Sequence, residues 1–140
     1  MDKILLDTDV LMDFFFDREP FAIYATMLLN LCADKEIQGF TTPVIISNVY
    51  YLLRKTAKHD MVVEKIRQLL TFIEITTMNK QSVLDALNSE FKDFEDALQN
   101  FSAIENGLIK IILTRNLKDF KKSQLALFTP ETYLKGRTTA

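Results

Sequence analysis

Ile4-Leu5-Leu6-Asp7-Thr8-Asp9-Val10-Leu11 decides how the chain is read. A short apolar run ends in a carboxylate and two residues of the kind that start helices, and a helical pattern comes next. This is the grammar of a strand feeding a helix. In an open α/β sheet, residues just past the carboxyl ends of the strands converge on one crevice. Three more polar clusters repeat that placement: Asn48, Asp93 to Asp96, and Asn116 to Asp119. Carboxylates gathered in one crevice repel by roughly 4 kcal/mol per close pair at an effective dielectric of about 20. A divalent cation is the usual remedy, so the pattern points to metal-dependent phosphoryl-transfer chemistry.

Outward from that stretch, apolar runs alternate with helical periodicities. Lys3 to Leu6 reads as a buried strand. Pro20 suits the first turn of a helix whose apolar face is Phe21, Tyr24, Ala25, Leu28, Leu31 and Cys32. Gly39 punctuates, Phe40 to Thr42 reads as the second strand, and Pro43 opens a helix with Ile46, Val49, Tyr50 and Leu53 inward. A helix from about Asp60 to Leu70 precedes a strand at Phe72 to Thr76. Asn79 and Asp93 are N-cap residues. The first caps a helix through Val83, Leu84 and Leu87; the second caps one whose apolar face is Phe94, Ala97, Leu98, Phe101 and Ile104, stopped by Gly107. Ile109 to Leu113 has the continuous apolarity of a central parallel strand. Leu125 to Phe128 is a shorter strand, and Pro130 to Leu134 a closing helical turn. The expected fold is a three-layer α/β/α sandwich with a mainly parallel central sheet, built as one domain over residues 1–140.

Composition narrows the classes. With 48% apolar and 26% charged residues among 140, the chain can bury a core and is not disordered. Three Gly and three Pro are too few for the tight turns of an all-β protein. One cysteine, Cys32 among leucines, forms no internal disulfide and fits a reducing compartment. The first residues show neither a basic leader nor an apolar run long enough for a membrane span, so a cytoplasmic protein with no membrane partner is expected. The net charge of −2 gives no general attraction to nucleic acid. Basic residues are instead grouped locally, at Arg54, Lys55 and Lys58 and from Arg115 to Lys122, where phosphate contact by Arg115 and Lys118 is expected. Phe14-Phe15-Phe16 exceeds what one helix face needs, which suggests a dimer seam or a groove for a partner helix. His59 has no metal-ligand companion and reads as a surface residue.

Three segments in order resemble the PIN-domain family, whose members include ribonuclease toxins of bacterial toxin–antitoxin pairs. Leu5 to Leu11 is similar to its opening signature. Glu95-Asp96-Ala97-Leu98 is similar to its third acidic position at a helix start, and Ile111 to Phe120 to its closing strand and Thr-Arg-Asn…Asp-Phe segment. The resemblance implies RNA hydrolysis around Mg²⁺ or Mn²⁺, with Asp7, Asp96 and Asp119 as metal ligands and Asn116 at the position taken by Asp or Asn. Thr8, Asp9, Glu95 and Thr114 would support them. It also implies RNA and a small antitoxin as partners, alongside the homodimer suggested by the surplus aromatics.

One position departs from the family pattern. Asn48 stands where a Glu is usual, offering a carbonyl oxygen but no charge. An RNA- or protein-binding module of PIN fold with weak or no catalysis is therefore the alternative. A phosphatase with Asp7 as nucleophile and Asp9 as acid/base is a more distant one.

Overall fold

The computed structural model describes residues 1–139. In chain order the elements are β1 (Lys3–Leu6), α1 (Thr8–Phe15), α2 (Ala22–Ala33), β2 (Gln38–Thr41), α3 (Pro43–Arg54), α4 (His59–Leu69), β3 (Ile73–Ile75), α5 (Lys80–Leu87), α6 (Phe94–Asn106), β4 (Ile111–Leu113), a 3-10 turn (Leu117–Phe120), β5 (Ala126–Phe128) and α7 (Pro130–Thr139). The strands form one sheet in the order β3-β2-β1-β4-β5, and every pairing is parallel. Helices cover both faces. Ile4 and Leu6 point into a core shared with α1, α2, α4 and α7, while Leu5 and Ile112 pack with Ala103 and Phe120 on the opposite face. No helix among the described residues is long and apolar enough to cross a membrane.

The strand order switches direction at β1, so β1 and β4 end side by side beneath a crevice. The residue directly after each strand is polar and short. Asp7 comes after β1, and a threonine comes after each of the others: Thr42, Thr76, Thr114 and Thr129. A hydroxyl there can cap the next helix or reach across the sheet edge. Thr42 accepts from the backbone N–H of Ile45, and Thr129 from that of Thr132.

Several local expectations are corrected. Pro20 lies in the turn ahead of α2, which begins only at Ala22. The buried face of α2 is Ala22, Ala25, Leu28, Leu29 and Cys32, rotated from the one expected, and Phe21 is exposed. Almost every position of this helix is apolar, so periodicity carries no phase and packing chooses the face. Gly39 lies inside β2 rather than before it, and Thr42 has become the cap of α3. A Cβ on Gly39 would stand 2.7 Å from both Cys32 Sγ and Ile73 Cδ1, so glycine is what lets α2 lie this close to the sheet.

The helix expected through Val83, Leu84 and Leu87 is α5, capped by Asn79, but those three side chains are exposed, and Ser82 and Ala86 are buried. Asn79 and Ser82 form a reciprocal cap, and both bond the Glu105 carboxylate of α6, at 2.8 and 2.6 Å. That polar anchor, with two small residues, sets the face turned inward. Finally, α7 continues well past the single turn expected.

Candidate active site

Asp7 is placed by β1 and turned by its own capping role. Its Oδ1 accepts from the Thr8 N–H at 2.8 Å, and its Oδ2 accepts from the Thr114 hydroxyl at 2.9 Å. The carboxylate is thus held between the ends of β1 and β4. Asp9, in the first turn of α1, accepts from the Arg115 N–H at 2.9 Å through Oδ2. Its Oδ1 is buried with no hydrogen-bond partner. Such a group is costly unless something further occupies the site.

The other wall comes from α6. Asp93 caps that helix by accepting from the Asp96 N–H at 2.9 Å. Half of the buried positions of α6 are polar, and their partners are two strand ends and the loop before β5. Thr42 donates to Gln99 Oε1 at 2.5 Å, Ser102 shares a hydrogen bond with Thr76 at 2.6 Å, and Ser123 donates to Asn100 at 2.5 Å. Two buried hydrogen bonds, from Thr42 and Thr76, therefore fix the helix that carries Asp96 onto the strand edge, and the third ties it to the loop before β5. Periodicity of apolar residues could not reveal this face. The signal that could have was polar, namely Gln99, Asn100 and Ser102 set against threonines at the ends of strands.

Asp7, Asn48, Asp96, Asn116 and Asp119 line one open cleft of about 580 Å³, together with Thr8, Asp9 and Glu95. Asn48, on α3, donates from Nδ2 to Glu95 Oε1 across it. Burial pushes the Asp7 carboxyl up to about 6, with repulsion from Asp9 adding to it. Asp96 is pushed up to about 7 by burial and then by Asp7, Asp93, Asp119 and Glu95. Asp9 is likewise raised by burial, against the lowering effect of the Arg115 N–H. A cleft whose carboxylates hold protons this tightly has a deficit of positive charge. Among the described residues, no three acidic, His or Cys side chains stand close enough to enclose an ion as they are placed.

The two expected phosphate contacts sit elsewhere. Arg115 does not line the cleft: its guanidinium makes a bidentate pair with buried Asp13, at 2.7 and 3.1 Å, and lies 3.9 Å over the Phe21 ring. Lys118 lines an adjoining depression with Lys121 and Lys122, bordered by Asp93 and Asp119. The cations that do line the acidic cleft are Arg18 and Lys55.

The sequence model of the PIN domain matches residues 3–118, which is most of the chain and includes α1, α3 and α6 of the cleft walls, stopping just short of Asp119. The chain belongs to the PIN-domain family. Ribonuclease VapC1 of Aquifex aeolicus (strain VF5) is 28% identical to it over 137 residues, covering 94% of this chain and 93% of the relative. Among solved structures, VapBC2 of Rickettsia felis bound to a promoter DNA fragment superimposes with a TM-score of 0.68 at 18% identity, covering 91% and 98% of the two chains. A toxin–antitoxin complex from Klebsiella pneumoniae gives the same TM-score at 23% identity, covering 91% and 97%. At these identities the structural likeness speaks for the fold. In this chain the cleft wall formed by α3 presents an amide, Asn48, and a carboxylate from α6, Glu95, meets it.

Proposed function

We propose that this PIN-domain protein is an Mg²⁺- or Mn²⁺-dependent endoribonuclease, the cytoplasmic toxin of a toxin–antitoxin pair. The observation that carries the proposal is the convergence of Asp7, Asp96 and Asp119 with Asn48 and Asn116 in one cleft at the β1/β4 switch point. The curated relative named a ribonuclease supports the same reading. The donors present are all oxygens, which suits a hard divalent cation that keeps several of its waters. The partnerless Asp9 Oδ1 and the raised Asp7 and Asp96 carboxyls fit such an occupant.

Asp7, Asp96 and Asp119 would hold the ion, and Asn48 and Asn116 would offer carbonyl oxygens or orient water. When bound, the ion acidifies water and stabilises charge on phosphate oxygens. The protein's part is orientation and proton control. Thr114 and the Thr8 N–H fix the Asp7 rotamer. Asp96 keeps its proton near neutrality until positive charge arrives. Arg18, half exposed and tethered to Asp13 at 3.3 Å, brings positive charge to the cleft for a substrate phosphate. Arg115 serves through its backbone by holding Asp9, and Lys118 by positive charge on the neighbouring slope.

Partners are read from the same site and its surroundings. Phe14 and Phe15, with Leu69 and Phe72, line a groove of about 330 Å³ at the surface. It is an apolar seat for an antitoxin segment, and a homodimer would cover further exposed apolar residues. The non-catalytic alternative draws on Asn48, which leaves one carboxylate fewer than the family pattern.

The test is cleavage of a mixed single-stranded RNA with Mg²⁺, with Mn²⁺ and with chelator, using wild type, Asp7→Asn and Asp96→Asn. Cation-dependent cleavage that falls about 100-fold or more in both variants is expected. RNA binding without turnover, indifferent to chelator, would establish the alternative.

A further inference from the structure

The nuclease reading uses Arg115 through its backbone alone, yet its side chain shares a carboxylate with an arginine that lines the cleft. Asp13, 1% exposed, holds two guanidinium groups at once. Arg115 takes both oxygens, with Nε on Oδ2 at 2.7 Å and Nη2 on Oδ1 at 3.1 Å. Arg18 has the lesser share, a single Nε contact to Oδ1 at 3.3 Å, and its side chain is 45% exposed. Its terminal nitrogens meet no acceptor among the described residues. The side-chain contact is not what keeps Arg18 at the cleft, because its own N–H donates to the Asp13 carbonyl at 3.0 Å. One carboxylate between two guanidinium groups leaves a positive charge over. The looser partner is the one beside the acids.

A buried carboxylate stripped of its counter-charge is strongly unfavourable. With Arg18 as its only partner, Asp13 would keep that arginine, since a move toward a phosphate would strand the buried charge. Arg115 removes the constraint. Its planar fork satisfies both carboxylate oxygens, and its guanidinium rests 3.9 Å over the Phe21 ring, so it stays in place when Arg18 leaves. We infer that the Arg115 side chain is a positioning residue: by neutralising Asp13 from outside the cleft, it frees the Arg18 guanidinium to bind a backbone phosphate of the substrate. The inference rests on the ribonuclease reading and adds to that site a side chain that touches neither substrate nor ion. Arg115 acts on the phosphate only through Asp13 and Arg18.

The test is the salt dependence of binding to a fluorescently labelled single-stranded oligoribonucleotide of mixed sequence, followed by anisotropy in EDTA. One phosphate contact contributes about 0.7 to the slope of log affinity against log salt, and Arg18→Ala is expected to lose that amount. Arg115→Gln is expected to lose the same, because Arg18 is then drawn onto Asp13, and the double variant no more than either alone. Arg115→Lys keeps the counter-charge and is expected to hold the wild-type slope. A merely structural role would lower the melting temperature without this pattern, so thermal melts run beside the binding. Arg115→Met gives the same comparison should Arg115→Gln fail to fold. An unchanged slope in Arg18→Ala or Arg115→Gln, an additive loss of about 1.4 in the double variant, or a slope in Arg115→Lys as low as in Arg115→Gln overturns the inference. If wild type cleaves RNA with Mg²⁺ in that case, the nuclease reading survives it; a wild type that neither binds nor cleaves RNA overturns both.

Discussion

At the scale of single residues, the cleft trades stability for charge. Asp7 and Asp96 hold protons more tightly in the folded protein than in the unfolded chain, with folded values of about 6 and about 7 against 3.8. The consequence has a definite sign. Below about pH 4 both states are protonated and neither group matters. As pH rises toward 7 the unfolded chain ionises first, so the two acids progressively destabilise the ion-free protein, and the effect levels off above that. In Asp96→Asn the gain over wild type is expected to be near zero at pH 4 and about 1 kcal/mol at pH 8, since solvent at the open cleft screens part of the repulsion. Thermal melts across pH, with chelator, measure it; a gain independent of pH would refute the charge origin. Asn48→Glu tests the opposite wall. It replaces the amide that donates to Glu95 with a second carboxylate, so Mg²⁺ should bind more tightly by calorimetry while the ion-free protein melts at a lower temperature. Unchanged affinity would put position 48 beyond the ion's reach.

At the scale of elements, two polar anchors hold the cleft walls, and both are buried. Asp13, on α1, is 1% exposed and binds Arg115 from the loop after β4 as well as Arg18 from the turn after α1. Breaking a buried pair by removing one charge typically costs about 3–5 kcal/mol. Asp13→Asn is expected to cost about 3 kcal/mol in urea denaturation, because Arg115 keeps some solvent contact, and to loosen the backbone N–H that holds Asp9. A loss below about 1 kcal/mol would mean that the stack on Phe21 suffices. The second anchor is Thr42, which caps α3 and donates to Gln99 on α6. Thr42→Val removes a cap and leaves buried Gln99 without its donor, for an expected loss of about 2–3 kcal/mol by the same measurement. Since α3 carries Asn48 and α6 carries Asp96, cleavage should fall further than stability alone explains.

For the molecule as a whole, the parallel sheet does the positioning and close packing of the helices gives it rigidity. Gly39 marks the tightest approach. In Gly39→Ala the new methyl would press on Cys32 Sγ, a short and stiff neighbour, and on the end of Ile73. Overpacking of this kind typically costs about 1–3 kcal/mol. A melting temperature lowered by several degrees is expected, and Gly39→Ala combined with Cys32→Ala should recover part of it, as relief of a steric clash requires. Because the disturbed contact lies in the core shared with α2, on the far side of β2 from Asp96, the RNA affinity of the folded variant should be unchanged.

Local chemistry alone made much of this legible. The parallel strands, the Asn79 and Asp93 caps and the residues that share the cleft each announced themselves within a few positions, as an apolar run followed by an acid, an amide or a cap. Strand ends are local events, and in a parallel sheet they must share one edge, so Asp7, Asn116 and Asp119 could be grouped without coordinates, while Asn48, inside α3, and Asp96, on α6, were grouped with them through the family resemblance. What the tertiary structure alone decided is which way ambiguous helices turn and which charges are free. The face of α2 has no phase in its almost wholly apolar sequence, and α5 turned Ser82 inward because Glu105 awaited it. Arg115 was diverted by an aspartate 102 residues earlier, and Glu95 came to meet Asn48 across a gap of 47. Pairings over such distances depend on how layers settle against one another, and hydrophobic periodicity carries no trace of them.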